Sequence, residues 1–309
     1  MQPISNEISG RPPAPLAGWH RKLLAWAAIF AVLLIGVGGI LCVTQSIRSC
    51  PDWPGCFGKL IPPFEVSPIL EYSHRILAAA TGLLILASAI AGLVRARRWN
   101  WILIPPLVAC VLVVEVSYFG ARVVLGGIAA GWAAVDLGSA LLVVALMITA
   151  AVSAQEHKTL PGQKGRRIFG TPFVRLALTT VAVVYIVFVS GVLVAGKGSI
   201  SACLGWPVYS PLLIQLDVHG VGNILRLALS ILGLGLLLAL LWQAWRTKNE
   251  HVQAFKYAGW LLAAFLMEAL LQILLLIFGF KVALLVPYTL SAALLWGALV
   301  ALSASLAHS

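Results

Sequence analysis

The chain has 309 residues, of which 61% are hydrophobic and only 10% are charged, and its mean hydropathy is +0.99. Soluble domains carry about a quarter charged residues, so this composition excludes a water-soluble enzyme or binding module. The formal net charge of +11 would indicate nucleic-acid binding only if the basic residues clustered on a soluble face, and they are instead spread between apolar runs. We therefore predict an integral membrane protein, surrounded by lipid, that binds no nucleic acid.

Eight apolar windows are long enough to cross the roughly 30 Å hydrocarbon core of a bilayer as helices. They lie at 23–43, 72–94, 101–119, 123–151, 173–195, 213–243, 256–279 and 282–305. Tight outer turns are expected at 118–122, between the third and fourth spans, and at 279–281, between the seventh and eighth. The polar N-terminal segment has no pattern of a cleavable signal peptide, so the first apolar run is interpreted as a full span.

The basic residues between the spans predict the orientation. With the N-terminus inside, 14 of the 21 lysine and arginine residues face the cytoplasm and five face outward. Short cytoplasmic loops are enriched in basic residues, so both termini are predicted to be cytoplasmic. The expected location is a bacterial plasma membrane.

The two halves of the chain repeat each other. A shift of 153 residues superimposes Cys50 on Cys203, Trp53 on Trp206 and Glu115 on Glu268, and a shift of 145 superimposes His74 on His219. Four spans per repeat is an even number, which gives the two halves the same orientation. The predicted fold is an all-α membrane protein with two tandem four-helix bundles, related by a pseudo-twofold axis along the membrane normal.

This pattern divides the chain into four parts. A cytoplasmic tail at 1–22 precedes the N-terminal repeat at 23–154, which includes an outer cysteine loop at 44–70. A cytoplasmic linker at 155–172 then leads to the C-terminal repeat at 173–309.

The outer loop contains two cysteines separated by five residues. Cys50 and Cys56 would lie outside the membrane, where disulfide bonds persist, and form either a structural bond or a redox-active pair reduced by a partner thiol protein. Cys203 is expected to have no such partner, because Tyr209 occupies the position that matches Cys56. Cys42 and Cys110 are interpreted as small packing residues.

Ionisable residues inside spans are costly, so each is a functional candidate. Glu71 and His74 lie on one face of span 2, and span 6 carries Asp217, His219 and Arg226. A histidine inside a four-helix bundle is either an axial ligand of haem iron or a residue bonded to a neighbouring helix, and the spacing leaves both open.

Other charged residues have similar alternatives. Arg75 and Arg226 could pair with haem propionates, or with Glu71 and Asp217 respectively. Glu115 and Glu268 could be protonated packing residues, and Asp136 lies in span 4.

The residues carry a family resemblance. Gly38-Gly39, then Ser49-Cys-Pro-Asp-Trp-Pro-Gly-Cys-Phe-Gly, then Glu71-x-x-His74-Arg75 resemble the haem A synthase (CtaA) family, over nearly the whole chain. The resemblance implies oxidation of haem O, at its position-8 methyl group, to the formyl group of haem A for a haem-copper oxidase. Water is the implied oxygen source.

The resemblance also implies roles for individual residues. One half would hold the haem O substrate and the other a haem b cofactor, with His74 and His219 as axial ligands. Glu71 would take part in the chemistry, and Cys50 and Cys56 in haem transfer or redox control. Implied partners are a haem O synthase, haem-copper oxidase assembly factors, a thiol–disulfide protein and a second copy of the chain.

The chain departs from the family at two ligand positions. The histidine expected in the fourth span of each half is replaced by Asp136 and Thr289. Each haem could be five-coordinate, another side chain such as Asp136 or Tyr288 could approach the iron, or the chain could have lost catalysis. The alternative functions are therefore a non-catalytic haem-handling protein and, on the repeats alone, a transporter.

Overall fold

The computed structural model describes residues 16–159, 171–194, 203–206 and 220–308. These residues form eight helices. They are α1 Gly18–Val43, α2 Val66–Arg95, α3 Asn100–Leu125, α4 Ala130–Thr159, α5 Pro172–Val194, α6 Gly220–Arg246, α7 Val252–Phe278 and α8 Val282–His308.

The predicted all-α fold class with eight helices is confirmed, whereas the pseudo-twofold arrangement of two four-helix bundles stays a prediction. All eight helices are long and apolar enough to cross a membrane, because a span needs about 20 predominantly apolar residues. Helices suit this environment because their backbone groups bond within the segment and leave none to the lipid. The cytoplasmic location of the termini stays a prediction.

The structure tests the two outer turns predicted from the sequence. The turn expected at 118–122 is wrong, because α3 continues to Leu125 and the chain turns at Gly126 and Gly127. Gly127 has a φ of +73°, which a residue without a β-carbon adopts readily. The turn expected at 279–281 is confirmed, and Gly279 there has a φ of +79°. Hydropathy failed at the first turn because apolar residues continue on both sides of Gly126.

Helices α1, α4, α5 and α8 form the centre of the molecule. Both α4 and α8 pack against α1 and α5, and also against each other. Of the eight spans, α4 and α8 are the most buried within the protein. Helices α2 and α3 lie on the outside of the N-terminal half, and α6 and α7 on the outside of the C-terminal half.

Glycines bring α1 and α8 into close contact. A β-carbon at Gly36 would lie 2.8 Å from Leu290 Cδ2, and one at Gly39 would lie 2.8 Å from Thr289 Cβ. Small residues at helix crossings in membranes let backbones approach and gain dispersion contacts. The first helix of one half is therefore packed directly against the last helix of the other.

A tryptophan of α8 joins the halves deeper in the core. Trp296 is 1% exposed, and its indole Nε1 donates a hydrogen bond to the carbonyl oxygen of Leu141 in α4 at 3.0 Å. The rings of Tyr185 and Phe188, both from α5, lie 6.1 and 6.4 Å from the Trp296 ring. A buried indole N–H needs a polar partner, and this one uses a backbone carbonyl of the opposite half.

A disulfide bond links the halves covalently. It joins Cys42, near the end of α1, to Cys203, in the segment 203–206 between α5 and α6. Both expectations for these residues, an unpartnered Cys203 and a packing role for Cys42, are wrong. Superimposing one half on the other compares equivalent positions, and Cys42 and Cys203 are not equivalent, so the comparison cannot reveal a bond between them. Cys110 is free and packs against the core.

The pairing predicts a pattern of thiol reactivity. In denatured, unreduced protein only Cys110 should react with a maleimide-polyethylene glycol reagent, whereas all five cysteines should react after reduction. Cys42→Ser should release Cys203 and give two reactive thiols. It should also lower the thermal midpoint in detergent, because a disulfide typically contributes about 2–4 kcal/mol. Cys110→Ser is the control and should keep both bonds. Three reactive thiols in the unreduced parent would contradict the Cys42–Cys203 pairing.

Candidate functional site

The first turns of α2 carry a buried ion pair. Glu71 is 4% exposed, and its Oε1 accepts a hydrogen bond from Arg75 Nη2 at 2.6 Å, one helical turn away. The other carboxylate oxygen, Oε2, accepts a hydrogen bond from the backbone N–H of Cys50 at 2.7 Å. Both oxygens of Glu71 therefore have charge-assisted partners, as a buried carboxylate requires.

Arg75 holds the outer cysteine loop over the start of α2. Its Nη1 donates to the carbonyl oxygen of Asp52 at 2.7 Å and also to that of Gly55, and its Nη2 lies 3.4 Å from the carbonyl oxygen of Cys50. Cys50 and Cys56 are joined by a disulfide bond, so the guanidinium binds a closed ring of backbone. Of the two pairings expected for Arg75, the structure contains the one with Glu71.

Replacing Arg75 should loosen this loop. Arg75→Lys should increase the rate at which a phosphine reductant opens the Cys50–Cys56 bond several-fold, because an ammonium group lacks the planar fork that reaches several carbonyls and Glu71 together. Maleimide labelling of the released thiols measures the rate. Arg122→Lys, at an exposed arginine in the last turn of α3, is the matched control. Equal rates in Arg75→Lys and the parent would contradict this role.

His74 lies against α1. A β-carbon at Gly38 would be 3.4 Å from His74 Cε1, so the glycine leaves room for the imidazole ring. The Nδ1 atom of His74 is buried and has no hydrogen-bond partner among the described residues. Buried polar atoms in proteins are almost always bonded, so this one is a candidate for contact with a ligand.

Two carboxylates of the same half share this property. Both side-chain oxygens of Glu115 in α3, and Oδ1 of Asp136 in α4, are buried and lack partners among the described residues. Glu115 interacts electrostatically with Asp136 and with Tyr185 of α5. Three helices of the N-terminal bundle thus contribute polar side chains whose hydrogen-bonding capacity is unused within the described protein.

The repeat-equivalent carboxylate of the C-terminal half is fully bonded. Glu268 in α7 is 2% exposed, and its Oε1 accepts a hydrogen bond from the backbone N–H of Trp206 at 3.1 Å. Its Oε2 accepts a hydrogen bond from the hydroxyl of Ser291 in α8. This carboxyl group ties the segment 203–206 to α7 and α8, a role that its sequence position did not reveal.

The side chain of Trp206 points into the C-terminal bundle. A β-carbon at Gly233 of α6 would lie 3.0 Å from Trp206 Cη2 and 3.4 Å from Val183 Cγ1 of α5. The neighbouring Gly205 lies against the ring of Tyr288, which is 4% exposed. Side chains of the protein itself therefore occupy the space between these helices.

The remaining predicted residues fall in two groups. Arg226 is 5% exposed, and its Nε lies 3.4 Å from the carbonyl oxygen of Val187 in α5. His219 and Asp217 lie outside the described residues. Ser291 and Gly233 were not predicted from the sequence. The repeat alignment did contain a signal for Ser291, because it places this serine opposite Gly138.

The Glu268–Ser291 bond should contribute to stability. Ser291→Ala should lower the free energy of unfolding by about 1–3 kcal/mol, because it leaves one oxygen of a buried carboxyl group without its partner. The thermal midpoint in detergent measures this. Ser303→Ala is the control, because Ser303 is buried in the same helix but bonds only to the Leu299 carbonyl of its own helix. Equal losses in both variants would contradict a special role for Ser291.

Comparison with known proteins identifies the family. The profile of the COX15-CtaA family, described as cytochrome oxidase assembly proteins, matches residues 21–300. The chain belongs to this family. The resemblance predicted from the cysteine loop and the Glu-x-x-His-Arg motif is confirmed.

Several characterised proteins are similar to this COX15-CtaA member. A heme A synthase from Exiguobacterium sp. is 29% identical over 198 residues, which cover 61% of this chain and 63% of that protein. A heme A synthase from Exiguobacterium sibiricum is 29% identical over 208 residues, which cover 62% of this chain and 65% of that protein. A protoheme IX farnesyltransferase from Haloarcula marismortui is 29% identical over 126 residues, covering 41% and 26%. The matched regions thus span a little less than two thirds of the two heme A synthases.

Proposed function

We propose that this chain is a haem A synthase that oxidises haem O to haem A for a haem-copper oxidase. The observation that carries the proposal is His74, whose buried Nδ1 has no partner among the described residues and lies one helical turn from the loop-bound Glu71. The family match and the two heme A synthases agree with it.

The N-terminal half fits a haem. An imidazole is a common axial ligand of haem iron, and Gly38 gives the His74 ring space beside α1. Haem O is the substrate here, and its iron and macrocycle supply the oxidative chemistry, whereas the protein supplies ligation, orientation and control of protons. His74 is the residue that would hold the iron.

Glu71 would handle protons near the substrate. With water as the oxygen source, oxidation of a methyl group to a formyl group releases four protons and four electrons. The electrons must pass to an external electron acceptor, and a carboxylate beside the reacting carbon can accept the protons in turn. Arg75 pairs with Oε1 of Glu71, and the Cys50 N–H holds Oε2 under the loop. Movement of the cysteine loop would free Oε2, so the loop would control when this carboxylate is available.

Asp136 and Glu115 would complete the polar side of the same bundle. Asp136 stands where the family resemblance places a second axial histidine. Its buried Oδ1 has no partner in the described part of the chain, which supports a contact with the substrate rather than a packing role. The resemblance also assigns a haem b and His219 to the C-terminal half, and the described part of that half leads to a different proposal below.

The membrane location is consistent with this function. The protein is an integral membrane protein, and we propose a bacterial plasma membrane with both termini cytoplasmic. The partial match to a protoheme IX farnesyltransferase supports a neighbouring step, in which a haem O synthase provides the substrate. Oxidase assembly factors would receive the product.

A second function has one observation in its favour. Asp136 and Thr289 replace both fourth-span histidines of the family, so the chain could bind haem without oxidising it. A non-catalytic haem-handling protein in oxidase assembly would use the same His74 site. The identity of the haem that leaves the protein separates the two functions.

Coexpression with a haem O synthase, in a bacterial host that makes no haem A, tests the proposal. Extracted haem should contain haem A or its hydroxylated intermediate, identified by chromatography and mass spectrometry. Glu71→Gln should reduce the yield about 100-fold or more, a typical size for loss of acid–base catalysis, yet retain bound haem. His74→Ala should remove the product and lower the amount of bound haem.

The controls are matched by residue type. Glu65→Gln changes an exposed carboxylate just before α2, and His251→Ala changes a histidine just before α7, and both should keep activity. Haem-loaded protein that leaves haem O unchanged would favour the haem-handling function. Protein without haem would contradict both functions.

A further inference from the structure

The two repeats treat their equivalent carboxylates in opposite ways. Glu115 and Glu268 occupy the same repeat position, yet both oxygens of Glu115 lack partners among the described residues and both oxygens of Glu268 are bonded. A polar group without a protein partner is available to a ligand, whereas a fully bonded one is not. At this repeat position the N-terminal bundle therefore keeps two carboxylate oxygens without a described partner, whereas the C-terminal bundle has bonded both.

A glycine-to-serine difference explains part of this contrast. The shift of 153 residues that relates the carboxylates also places Gly138 of α4 opposite Ser291 of α8. The Ser291 hydroxyl donates to Glu268, whereas Gly138 has no side chain and lies beside the Tyr185 hydroxyl. The Ser291–Glu268 hydrogen bond of the C-terminal half therefore has no counterpart from Gly138 in the N-terminal half.

The equivalent tryptophans also lie in different places. Trp53 is 49% exposed in the disulfide-closed loop of the N-terminal half. Its counterpart Trp206 packs against the core, with its ring between α5 and α6. An indole ring is a large apolar group, so its position in the C-terminal bundle fills space between α5 and α6.

A glycine in α6 makes room for the Trp206 ring. A β-carbon at Gly233 would lie 3.0 Å from Trp206 Cη2, so a larger residue at this position would displace the ring. At the shift of 145 residues that relates spans 2 and 6, the N-terminal counterpart of Gly233 is Ser88, which is fully buried. The indole position is thus accommodated by the sequence of the C-terminal half.

The two fourth-span positions differ as well. Asp136 of α4 has a buried oxygen without a partner among the described residues. Thr289, its equivalent in α8, is 1% exposed, contacts Gly39 of the other half, and donates its hydroxyl to the Val286 carbonyl oxygen at 3.1 Å. A side chain packed on α1 cannot serve as a ligand inside the C-terminal bundle.

We propose that haem binds only to the N-terminal half of this chain, and that the C-terminal half is a haem-free bundle closed by Trp206 and the Glu268–Ser291 bond. The described counterparts of Glu115 and Asp136 in the C-terminal half, Glu268 and Thr289, are bonded or packed within the protein and do not fit a haem, contrary to the family resemblance. The proposal rests on the proposed function, which supplies the haem at His74. It gives the C-terminal half a structural role, as the partner on which α1 and the cysteine-linked segment pack.

Haem stoichiometry tests this proposal. Full-length protein in detergent is titrated with iron protoporphyrin IX, and bound haem per chain is measured from the Soret band and by the pyridine haemochrome assay. Binding should saturate at one haem per chain. His74→Ala should lower the bound haem at least tenfold, whereas His219→Ala should leave the amount and the Soret position unchanged.

A second measurement guards against misfolding. Size-exclusion profiles should match for all variants, and His74→Gln replaces His74→Ala if the alanine variant aggregates. Resonance Raman spectra of the parent and of His219→Ala should show the same single set of iron-ligand bands.

Each outcome has a distinct meaning. Two haems per chain would overturn this proposal and leave the proposed function standing. Loss of the haem in His219→Ala but not in the His74 variants would overturn both. No bound haem in the parent would instead overturn the proposed function.

Discussion

Close contact between α1 and α8 is the constraint on which the rest of this molecule depends. Lipid is as apolar as the helix surfaces, so helices in a membrane are held together by close packing and hydrogen bonds rather than by expulsion of water. Gly36 and Gly39 let α8 approach α1 so closely that the two repeats share one core. The contact also fixes the rotation of α8, which directs Thr289 toward the opposite half and Tyr288 toward the segment 203–206.

The sequence predicted what depends on composition and local spacing. Spans follow from hydropathy because the bilayer imposes a length, and the Glu71–Arg75 pair follows from helical spacing. The turn after α3 was misplaced because the glycines that make it lie within an apolar run. The Cys42–Cys203 bond was missed because it depends on how two helices far apart in sequence pack. Tertiary packing of this kind leaves no periodic signal in the chain.

The sequence predicted the candidate residues but not their bonding, because bonding also depends on tertiary packing. The motif around His74 identified the residue, but only the structure shows which polar groups of the bundle are already bonded. Repeat alignment paired Glu115 with Glu268 and treated them alike. Their bonding differs, because the serine that donates to Glu268 has a glycine at the equivalent position of the N-terminal half. In a tandem repeat, each half begins with the same capacity for a ligand, and a few substitutions can convert one of them into a packed support. The difference between the two halves therefore comes from the residues around Glu115 and Glu268 and not from the two glutamates themselves.

The connectivity of the two disulfide bonds bears on how the protein is made. The Cys50–Cys56 pair is nested inside the Cys42–Cys203 pair, so Cys42 precedes both inner cysteines in the chain. During synthesis Cys42 emerges with two nearby thiols that are wrong partners, and its correct partner follows Cys56 by 147 residues (203 minus 56). At about 5–20 residues per second, that interval is roughly 7–30 s. Correct oxidation thus requires that the short loop closes first and that Cys42 waits until the fifth helix has been inserted.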